Sequence, residues 1–233
     1  MVDVPSRAGV TQRFLLLQPE NAKAAVVLFA GGEGSIQISP DGIIAQGGNF
    51  LVRSRRLFAA QGLAVAVIDA PSDRQNLNQF RQTAEHVADL KATIAWLKQE
   101  LKTPVWLVGT SRGTLSVGHI ATQLAPADGG PDGIVLTSSV LADRRETSVP
   151  DMALARINVP VLVTHHRQDT CRVCHFNDLP RLTEKLKHLK KTETLLFDGG
   201  DNVGDACGAR AYHGYNGIEA EVVTKIATWV KGN

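Results

Sequence analysis

The hydrophobic residues of this chain are grouped into short, nearly continuous apolar runs, separated by longer segments of mixed polarity. Apolar runs of about four to eight residues, bounded by turn residues, are typical of strands that are buried on both faces of a parallel sheet. The pattern predicts strands at residues 12–17, 24–30, 63–68, 105–108, 133–137, 159–164 and 193–197.

Several of the intervening segments have apolar residues at every third or fourth position, which is the spacing of an amphipathic helix. Asn49 is a suitable cap for a helix over residues 50–60 that ends at Gly62 and has Leu57 in its apolar stripe. A long helix is predicted over residues 79–101. Further helices are predicted from Gly113 onward and over residues 179–189 and 218–230.

Strands that alternate with helices of this length imply right-handed crossover connections between parallel strands. The predicted fold class is therefore α/β, with a mostly parallel central sheet flanked by helices on both faces. No linker-like segment or change of composition divides the chain, so we expect residues 1–233 to form a single domain.

One turn between a predicted strand and a predicted helix has the residues expected of a nucleophile. Residues 105–118 read VWLVGTSRGTLSVG, and Ser111 lies between Gly109 and Gly113 in this stretch. A serine hydroxyl is a weak nucleophile at neutral pH, and a tight strand-to-helix turn flanked by glycines exposes it beside a base. Ser111 is therefore a candidate nucleophile. A glycine/serine turn without chemistry has the same pattern, so this interpretation depends on partners elsewhere in the chain.

Candidate partners for Ser111 follow two later strands. In a parallel sheet, reactive groups collect at the carboxyl ends of the strands. Asp169 follows the strand at 159–164, and His213 lies in the long loop after the strand at 193–197. We expect Asp169 to be the acid and His213 the base. The competing acids in the loop of His213 would have to fold back on that loop to reach it, and they are Asp198, Asp201 and Asp205.

Two adjacent histidines, His165 and His166, precede Asp169 and are potential metal ligands. Adjacent residues at the end of a strand point to opposite sides, so the two cannot readily bind one ion. We therefore expect neither a metal nor a cofactor. The other histidines fit structural or surface positions, and they are His86, His119, His175 and His188.

The order Ser111, Asp169, His213, each after a strand, resembles the α/β-hydrolase superfamily over about residues 12–230. In size and strand order the chain is similar to the dienelactone hydrolase-like serine hydrolases and esterases. The resemblance implies that Ser111 attacks an acyl carbonyl, that His213 takes and returns the proton, and that Asp169 orients the imidazole. Dienelactone hydrolase itself has a cysteine at the position of Ser111, which argues against a dienelactone substrate.

The resemblance also implies an oxyanion hole. In this fold the backbone donors come from the residue after the nucleophile, here Arg112, and from the loop after an earlier buried strand. Residues 31–34 read GGEG and resemble the His-Gly-x-Gly loop of the family, with Gly31 in place of the histidine. The expected second donor is the amide of Glu33, with Gly32 as the alternative. The side chain of Glu33 is also a candidate ion-pair partner for Arg112.

The three cysteines bear on the same site. Cys171 lies two residues after Asp169 and Cys207 six before His213, so a disulfide between them would tie the acid loop to the histidine loop. Such a bond implies an oxidising compartment, periplasmic or extracellular. Cys174 is an alternative partner for Cys207. A Cys171-x-x-Cys174 redox or metal motif, or three free thiols in a cytoplasmic enzyme, are the other interpretations.

Composition and charge limit the partners of the protein. The net charge is only +2, and the basic cluster at residues 187–191 lies where a helix ends, so we expect no nucleic-acid binding. No apolar run approaches the ~20 residues of a membrane span, and no signal peptide is visible at the start of the sequence. We expect a soluble protein that acts on small molecules.

The predicted activity is that of a serine hydrolase, carboxylesterase-like, acting on a small acyl substrate. Residues 138–158 are too few to form a large helical lid, so the site is expected to be open. Loops at residues 35–48, 69–78 and 138–150 would then determine the substrate. Lactone opening or acyl transfer by the same three residues, and a non-catalytic binding protein with this fold, remain as alternatives.

Overall fold

The computed structural model describes residues 1–233, and its eight strands belong to one sheet. The sheet is mostly parallel, as predicted, because β3 to β8 run in the same direction and only β2 is antiparallel to its neighbours β1 and β4. The order across the sheet is β1-β2-β4-β3-β5-β6-β7-β8. The strands are β1 (Val2–Arg7), β2 (Val10–Leu17), β3 (Ala25–Phe29), β4 (Ala64–Ile68), β5 (Val105–Thr110), β6 (Gly133–Thr137), β7 (Val161–His166) and β8 (Thr192–Phe197).

Helices cover both faces of the sheet, as predicted, and there are six because one of the five predicted helices is divided in two. They are α1 (Phe50–Arg53), α2 (Arg55–Ala60), α3 (Ala84–Leu101), α4 (Gly113–Gln123), α5 (Leu179–Leu186) and α6 (Glu219–Gly232). Helices α3, α4 and α5 contribute to one buried apolar cluster, which contains Leu90 and Leu182. Helices α1, α2 and α6 contribute to a second cluster, which contains Phe58 and Val222. None of the six helices combines the length and the hydrophobicity that a bilayer crossing requires.

The central strands are apolar at every position because both of their faces are covered. In β3, Val27 belongs to the first apolar cluster, whereas its neighbours Val26 and Leu28 belong to the second. Successive side chains of a strand point to opposite faces, so a strand between two helical layers needs a continuous apolar run. This is why the sequence pattern located these strands to within two residues of their observed ends.

The N-terminal edge strand β1 was not predicted. Its sequence is mostly polar and contains Pro5, which is tolerated at the edge of a sheet because its missing N–H faces no partner. The strand pairs with β2, and Arg7 at its end binds the buried Asp89 of α3 through Nε, 2.8 Å from Oδ1. Because Arg7 and Asp89 are far apart in the chain, their contact produces no pattern that could be recognised in the sequence near either residue.

Two helix predictions differ from the structure in their boundaries. The predicted helix at residues 50–60 is interrupted at Ser54, and Leu57, expected in the apolar stripe, is 38% exposed. The predicted helix at 79–101 begins only at Ala84, because the side chain of Thr83 accepts a hydrogen bond from the His86 amide and caps the helix there. The preceding residues form a turn in which Phe80 is buried.

The carboxyl ends of β3, β5, β6, β7 and β8 lie at one edge of the sheet, and all the predicted site residues follow one of these ends. Between β6 and β7 the chain forms no α-helix, only the short 3-10 turns Val149–Asp151 and Leu154–Arg156. The fold therefore has no large helical lid over this edge, as predicted.

Candidate active site

Ser111 occupies a strained turn between β5 and α4. Its φ is +52°, in the left-handed region that is unfavourable for residues with a Cβ, at a cost of roughly 1–2 kcal/mol. The flanking glycines allow the turn to be this tight. A Cβ on Gly109 would lie 2.6 Å from the carbonyl oxygen of Gly113, and a Cβ on Gly113 would collide with the carbonyl oxygen of Phe29. The G-x-S-x-G pattern thus has a steric basis in this chain.

Hydrogen bonds to neighbouring segments hold the turn in place. The Ser111 amide donates to the carbonyl of Thr137 at the end of β6, over 3.0 Å. The Ser111 carbonyl accepts from the hydroxyl of Thr114 over 2.6 Å, and also from its amide. The strained backbone of Ser111 is therefore fixed from both sides.

Asp169 and His213 lie together, as expected from their positions after β7 and β8. His213 Nδ1 is 2.8 Å from Asp169 Oδ2, and the two residues are 4% and 1% exposed. Asp169 Oδ1 accepts a second hydrogen bond, from the amide of Cys171 over 2.9 Å. A carboxylate in this position selects the tautomer of His213 that carries its proton on Nδ1, which leaves Nε2 without a proton. The Ser138 hydroxyl holds the backbone of His213 by donating to its carbonyl over 2.8 Å.

The competing carboxylates of the histidine loop are all exposed and do not contact His213. Asp198 pairs instead with Arg167, 3.0 Å away, and Asp205 accepts a hydrogen bond from the Cys207 amide. Asp201 is likewise exposed.

Ser111 and His213 both lie near a buried thiol, that of Cys174, for which the sequence suggested only a disulfide, a Cys-x-x-Cys motif or a free thiol. Cys174 Sγ is 4.0 Å from Ser111 Oγ and within 4.8 Å of a ring nitrogen of His213. Ser111 Oγ and His213 Nε2 do not hydrogen-bond to each other, and Nε2 is buried without a partner. Catalytic hydrogen bonds are often long before substrate binds, so this spacing is compatible with a nucleophile and its base. Burial raises the pKa of the Cys174 thiol, so the thiol is protonated at neutral pH.

The disulfide of the structure joins Cys171 to Cys207, as the sequence suggested, and Cys174 is the free cysteine. Sulphurs of Cys171 and Cys174 lie near His213, in a set with the spacing of metal ligands. Because Cys171 is bonded to Cys207, it offers no thiolate to a metal ion. The two alternatives are therefore absent from the structure: Cys171 and Cys174 form no redox or metal site, and Cys174 does not pair with Cys207.

The adjacent histidines diverge, as their position on a strand implies. Strand β7 extends through both of them, two residues beyond its predicted end. His165 Nε2 donates to the Cys174 carbonyl over 2.8 Å, whereas His166 Nε2 donates to the Gly199 carbonyl over 2.9 Å. Burial lowers the pKa of His165, which keeps its ring neutral beside Asp169.

The loop after β3 lies directly against Ser111. A Cβ on Gly31 would lie 2.9 Å from Ser111 Cβ, so a side chain at this position would require the loop to move. The amides of Glu33 and Arg112 donate to no acceptor within the protein, and neither does that of Gly32. Backbone donors left free beside a nucleophile are what an oxyanion hole requires.

The side chain of Arg112 does not pair with Glu33, which corrects the sequence-based expectation. Its guanidinium binds Asp143 at 2.9 Å and also Glu146, two largely buried carboxylates of the connector after β6. Two carboxylates neutralise Arg112 more effectively than one exposed Glu33 would. The sequence had located this connector near the site but offered no pattern that identifies the two residues.

Three clefts have Glu33, Arg112 or both in their walls. One of about 350 Å³ contains Gly32, Glu33 and Arg112 in its wall, and no hydrophobic side chain lines it. A second, of about 530 Å³, lies on the other side of the Gly31–Glu33 loop and reaches Cys207. The third, of about 650 Å³, begins at Arg112, and its arginines are Arg112, Arg144, Arg145, Arg172 and Arg181.

Solved structures with this fold are numerous. A dienelactone hydrolase from Anabaena variabilis superposes with a TM-score of 0.69 at 15% identity, covering 99% of this chain and 95% of that one. An esterase from Pyrococcus furiosus gives a TM-score of 0.71 at 14% identity, covering 99% and 89%. A serine hydrolase without a lid from Xanthomonas campestris gives 0.61 at 14%, covering 97% and 93%. No protein-family model and no curated protein matches the sequence. The chain has the α/β-hydrolase fold, as its motifs suggested.

Proposed function

We propose that this protein is a serine hydrolase that cleaves a small ester or related acyl bond. The observation that carries the proposal is the convergence of Ser111, Asp169 and His213. The acid and base share a 2.8 Å hydrogen bond, and the base and the strained serine flank the same buried thiol. The hydrolase and esterase structures that share the fold support this reading. We further propose that residues 1–233 act as one domain.

In the proposed reaction, His213 Nε2 takes the proton of the Ser111 hydroxyl as the oxygen attacks the acyl carbonyl. Asp169 stabilises the imidazolium that forms, and the amides of Glu33 and Arg112 donate to the negatively charged carbonyl oxygen. The imidazolium then returns the proton to the leaving alcohol, which leaves an acyl group on Ser111. A water molecule, deprotonated by His213, releases the acid.

The surroundings of Ser111 favour polar, negatively charged substrates over long acyl chains. An acyl chain needs a groove lined by hydrophobic side chains, whereas no hydrophobic residue lines the cleft at Glu33 and Arg112. In the larger cleft beyond Arg112, Arg144, Arg145 and Arg172 form no ion pair with a protein carboxylate. A carboxylate or phosphate on the substrate would accept their charge-assisted hydrogen bonds.

Labelling with a fluorophosphonate probe tests the catalytic proposal. We expect wild type to be labelled at Ser111 and Ser111→Ala not to be labelled. Cys174→Ala is the matched control, because it removes the neighbouring nucleophile and should leave labelling intact. A wild-type protein that is folded but does not react would favour the alternative of a binding protein with this fold.

A panel of esters and lactones then tests the substrate class. We expect an anionic ester such as mono-p-nitrophenyl succinate to be hydrolysed with a lower KM than the neutral p-nitrophenyl pentanoate. Arg145→Gln and Arg172→Gln should raise the KM for the anionic ester by roughly tenfold, since a hydrogen bond to a charged group contributes about 1.5 kcal/mol or more. Equal effects on both esters would contradict an anion preference. Transfer of the acyl group to an added alcohol, in preference to water, would identify an acyltransferase.

A further inference from the structure

Behind the loop of Glu33 lies a buried cation, Arg81, that the reaction described above does not use. The residue is 1% exposed and lies in the turn before α3. Its Nη2 donates to the carbonyls of Ala30 and Gly32, over 3.2 and 3.1 Å. Its Nη1 donates to the hydroxyl of Ser116 on α4 over 3.1 Å.

No carboxylate lies within ion-pair distance of this guanidinium, and all three of its acceptors are neutral. A buried charge that forms no ion pair is costly, and replacing buried ionic groups by apolar residues of similar volume is often neutral or stabilising. Burial lowers the pKa of Arg81 to about 10, whereas the negative charge of Glu146 opposes this effect and the positive charge of Arg112 adds to it. The side chain therefore keeps its charge at neutral pH.

The position of this charge determines the direction of one amide. The carbonyl of Gly32 and the N–H of Glu33 belong to the same peptide unit, and the chain contains no cis peptide bond. In a trans peptide the C=O and N–H point in opposite directions. Since the Gly32 carbonyl points at Arg81, the Glu33 N–H points away from it, where it has no acceptor within the protein. The amide of Gly32 belongs to a different peptide, whose Gly31 carbonyl accepts from the Gly34 amide.

The loop is shaped around the guanidinium. Gly34 has a φ of +81°, and a Cβ at this position would collide with Arg81 Nη2. On the other side, the Glu33 carbonyl accepts a hydrogen bond from the Leu77 amide over 2.7 Å. Arg81 thus holds the Gly32–Glu33 peptide at the Gly32 carbonyl, and the Leu77 amide holds the next carbonyl, that of Glu33.

We propose that Arg81 is a positioning residue for the oxyanion hole, acting through the Gly32–Glu33 peptide rather than touching the substrate. Its hydrogen bond to the Gly32 carbonyl sets the direction of the Glu33 N–H before substrate arrives. Its charge also polarises the peptide, which makes the N–H a stronger donor to the oxyanion. This inference rests on the proposed hydrolase function and selects Glu33, rather than Gly32, as the donor.

The test is Arg81→Met, which keeps the apolar volume and removes the charge, with p-nitrophenyl acetate as substrate. Complete loss of one oxyanion donor lowers kcat by about 100-fold or more. Because Arg81→Met misdirects the Glu33 N–H without removing it, we expect kcat to fall by about 100-fold at most and clearly below the wild-type value, with KM nearly unchanged. The Ki of a trifluoromethyl ketone, which forms a tetrahedral adduct on the serine, should rise by a similar factor. A residue that only supports the fold would not change kcat and this Ki together while leaving KM in place.

Ser116→Ala is the matched control. It removes another hydrogen-bond acceptor of Arg81 but leaves both contacts to the loop, so kcat should stay near the wild-type value. If Arg81→Met does not fold, Arg81→Lys replaces it, since one ammonium cannot take the positions of the guanidinium nitrogens and kcat should still fall.

A folded Arg81→Met or Arg81→Lys variant with wild-type kcat would overturn the inference. An equal loss of kcat in Ser116→Ala would overturn it as well. Failure of the proposed hydrolase function is a separate result, because wild type itself would then not react with a fluorophosphonate.

Discussion

Cys171 and Cys207 are joined by a disulfide that links the loop of the proposed acid to the loop of the proposed base. The amide of Cys171 also donates to Asp169 Oδ1, so the same residue is bound to the acid and covalently tied to the base loop. The relative position of Asp169 and His213 therefore depends on this link as well as on their own hydrogen bond.

Breaking the disulfide should lower the stability of the protein. The bond closes a loop over a sequence separation of 36 residues, for which the chain-entropy model gives about 4 kcal/mol. We expect Cys207→Ser to reduce the free energy of unfolding by a value of this order, measured by urea denaturation, and Cys174→Ala to leave the disulfide intact. Denatured, unreduced wild type should contain one reactive thiol, and three would show that the bond does not form.

Asp169→Asn should remove most of the activity without unfolding the protein. An amide in place of the carboxylate no longer selects the Nδ1–H tautomer of His213 and does not stabilise its imidazolium, so kcat should fall by about 10⁴-fold. Steady-state hydrolysis of p-nitrophenyl acetate measures the effect. Asp198→Asn is the control, because this exposed carboxylate of the histidine loop pairs with Arg167 and should be dispensable. Loss of activity in Asp198→Asn alone would reverse the assignment of the acid.

Gly113→Ala should destabilise the protein although alanine favours helices. The new Cβ would collide with the Phe29 carbonyl oxygen, so α4 and β3 would have to separate. We expect a loss of about 1–3 kcal/mol, the range for overpacked sites, in chemical denaturation. Gly47→Ala is the control, since a Cβ there meets nothing within 4 Å. Equal stabilities of the two variants would contradict the close packing of the turn.

Arg7→Met should destabilise the protein by leaving a carboxylate unpaired. The Asp89 side chain is fully buried and receives two hydrogen bonds from Arg7, over 2.8 and 3.0 Å. Removing one partner of a buried ion pair typically costs about 3–5 kcal/mol. The Arg7 side chain is 20% exposed and the Ser6 hydroxyl also donates to Asp89, so we expect a loss toward the lower end of this range. The double variant Arg7→Met, Asp89→Leu should recover part of this loss in urea denaturation. If the stability losses of Arg7→Met and Asp89→Leu simply added in the double variant, the two residues would not be coupled.

Stability should fall as the pH decreases below about 6.5, the usual pKa of an unfolded histidine. Burial lowers the pKa of His86 to about 3, and the charge of Arg81 contributes. Between these two values the unfolded chain binds a proton that the native His86 does not, so protonation favours unfolding by up to about 1.4 kcal/mol per pH unit. His86→Gln should show a shallower dependence in urea denaturation at pH 4 to 7. If the free energy of unfolding of wild type and of His86→Gln changed equally with pH, His86 would not be the origin of the dependence.

The sequence predicted those features of the fold that depend on residues close together in the chain. The buried strands could be predicted because a strand covered on both faces must be apolar throughout. The turn at Ser111 could be predicted because a Cβ on Gly109 would meet Gly113, only four residues later. That Asp169 and His213 lie close together followed from their positions after β7 and β8. The cysteine spacing suggested the pairing of Cys171 with Cys207, which the structure contains.

Only the tertiary structure decided which distant side chains meet. Asp143 and Glu146 replaced Glu33 as partners of Arg112, and Cys174 proved to lie beside Ser111. Likewise, nothing near Arg81 in the sequence indicates that it is buried against the carbonyls of Ala30 and Gly32. Polar side chains in loops follow no period, and their partners depend on how separate segments approach one another once the apolar core has formed. The sequence by itself thus determined the fold and the order of the reactive groups, whereas the packing of the loops determined their surroundings.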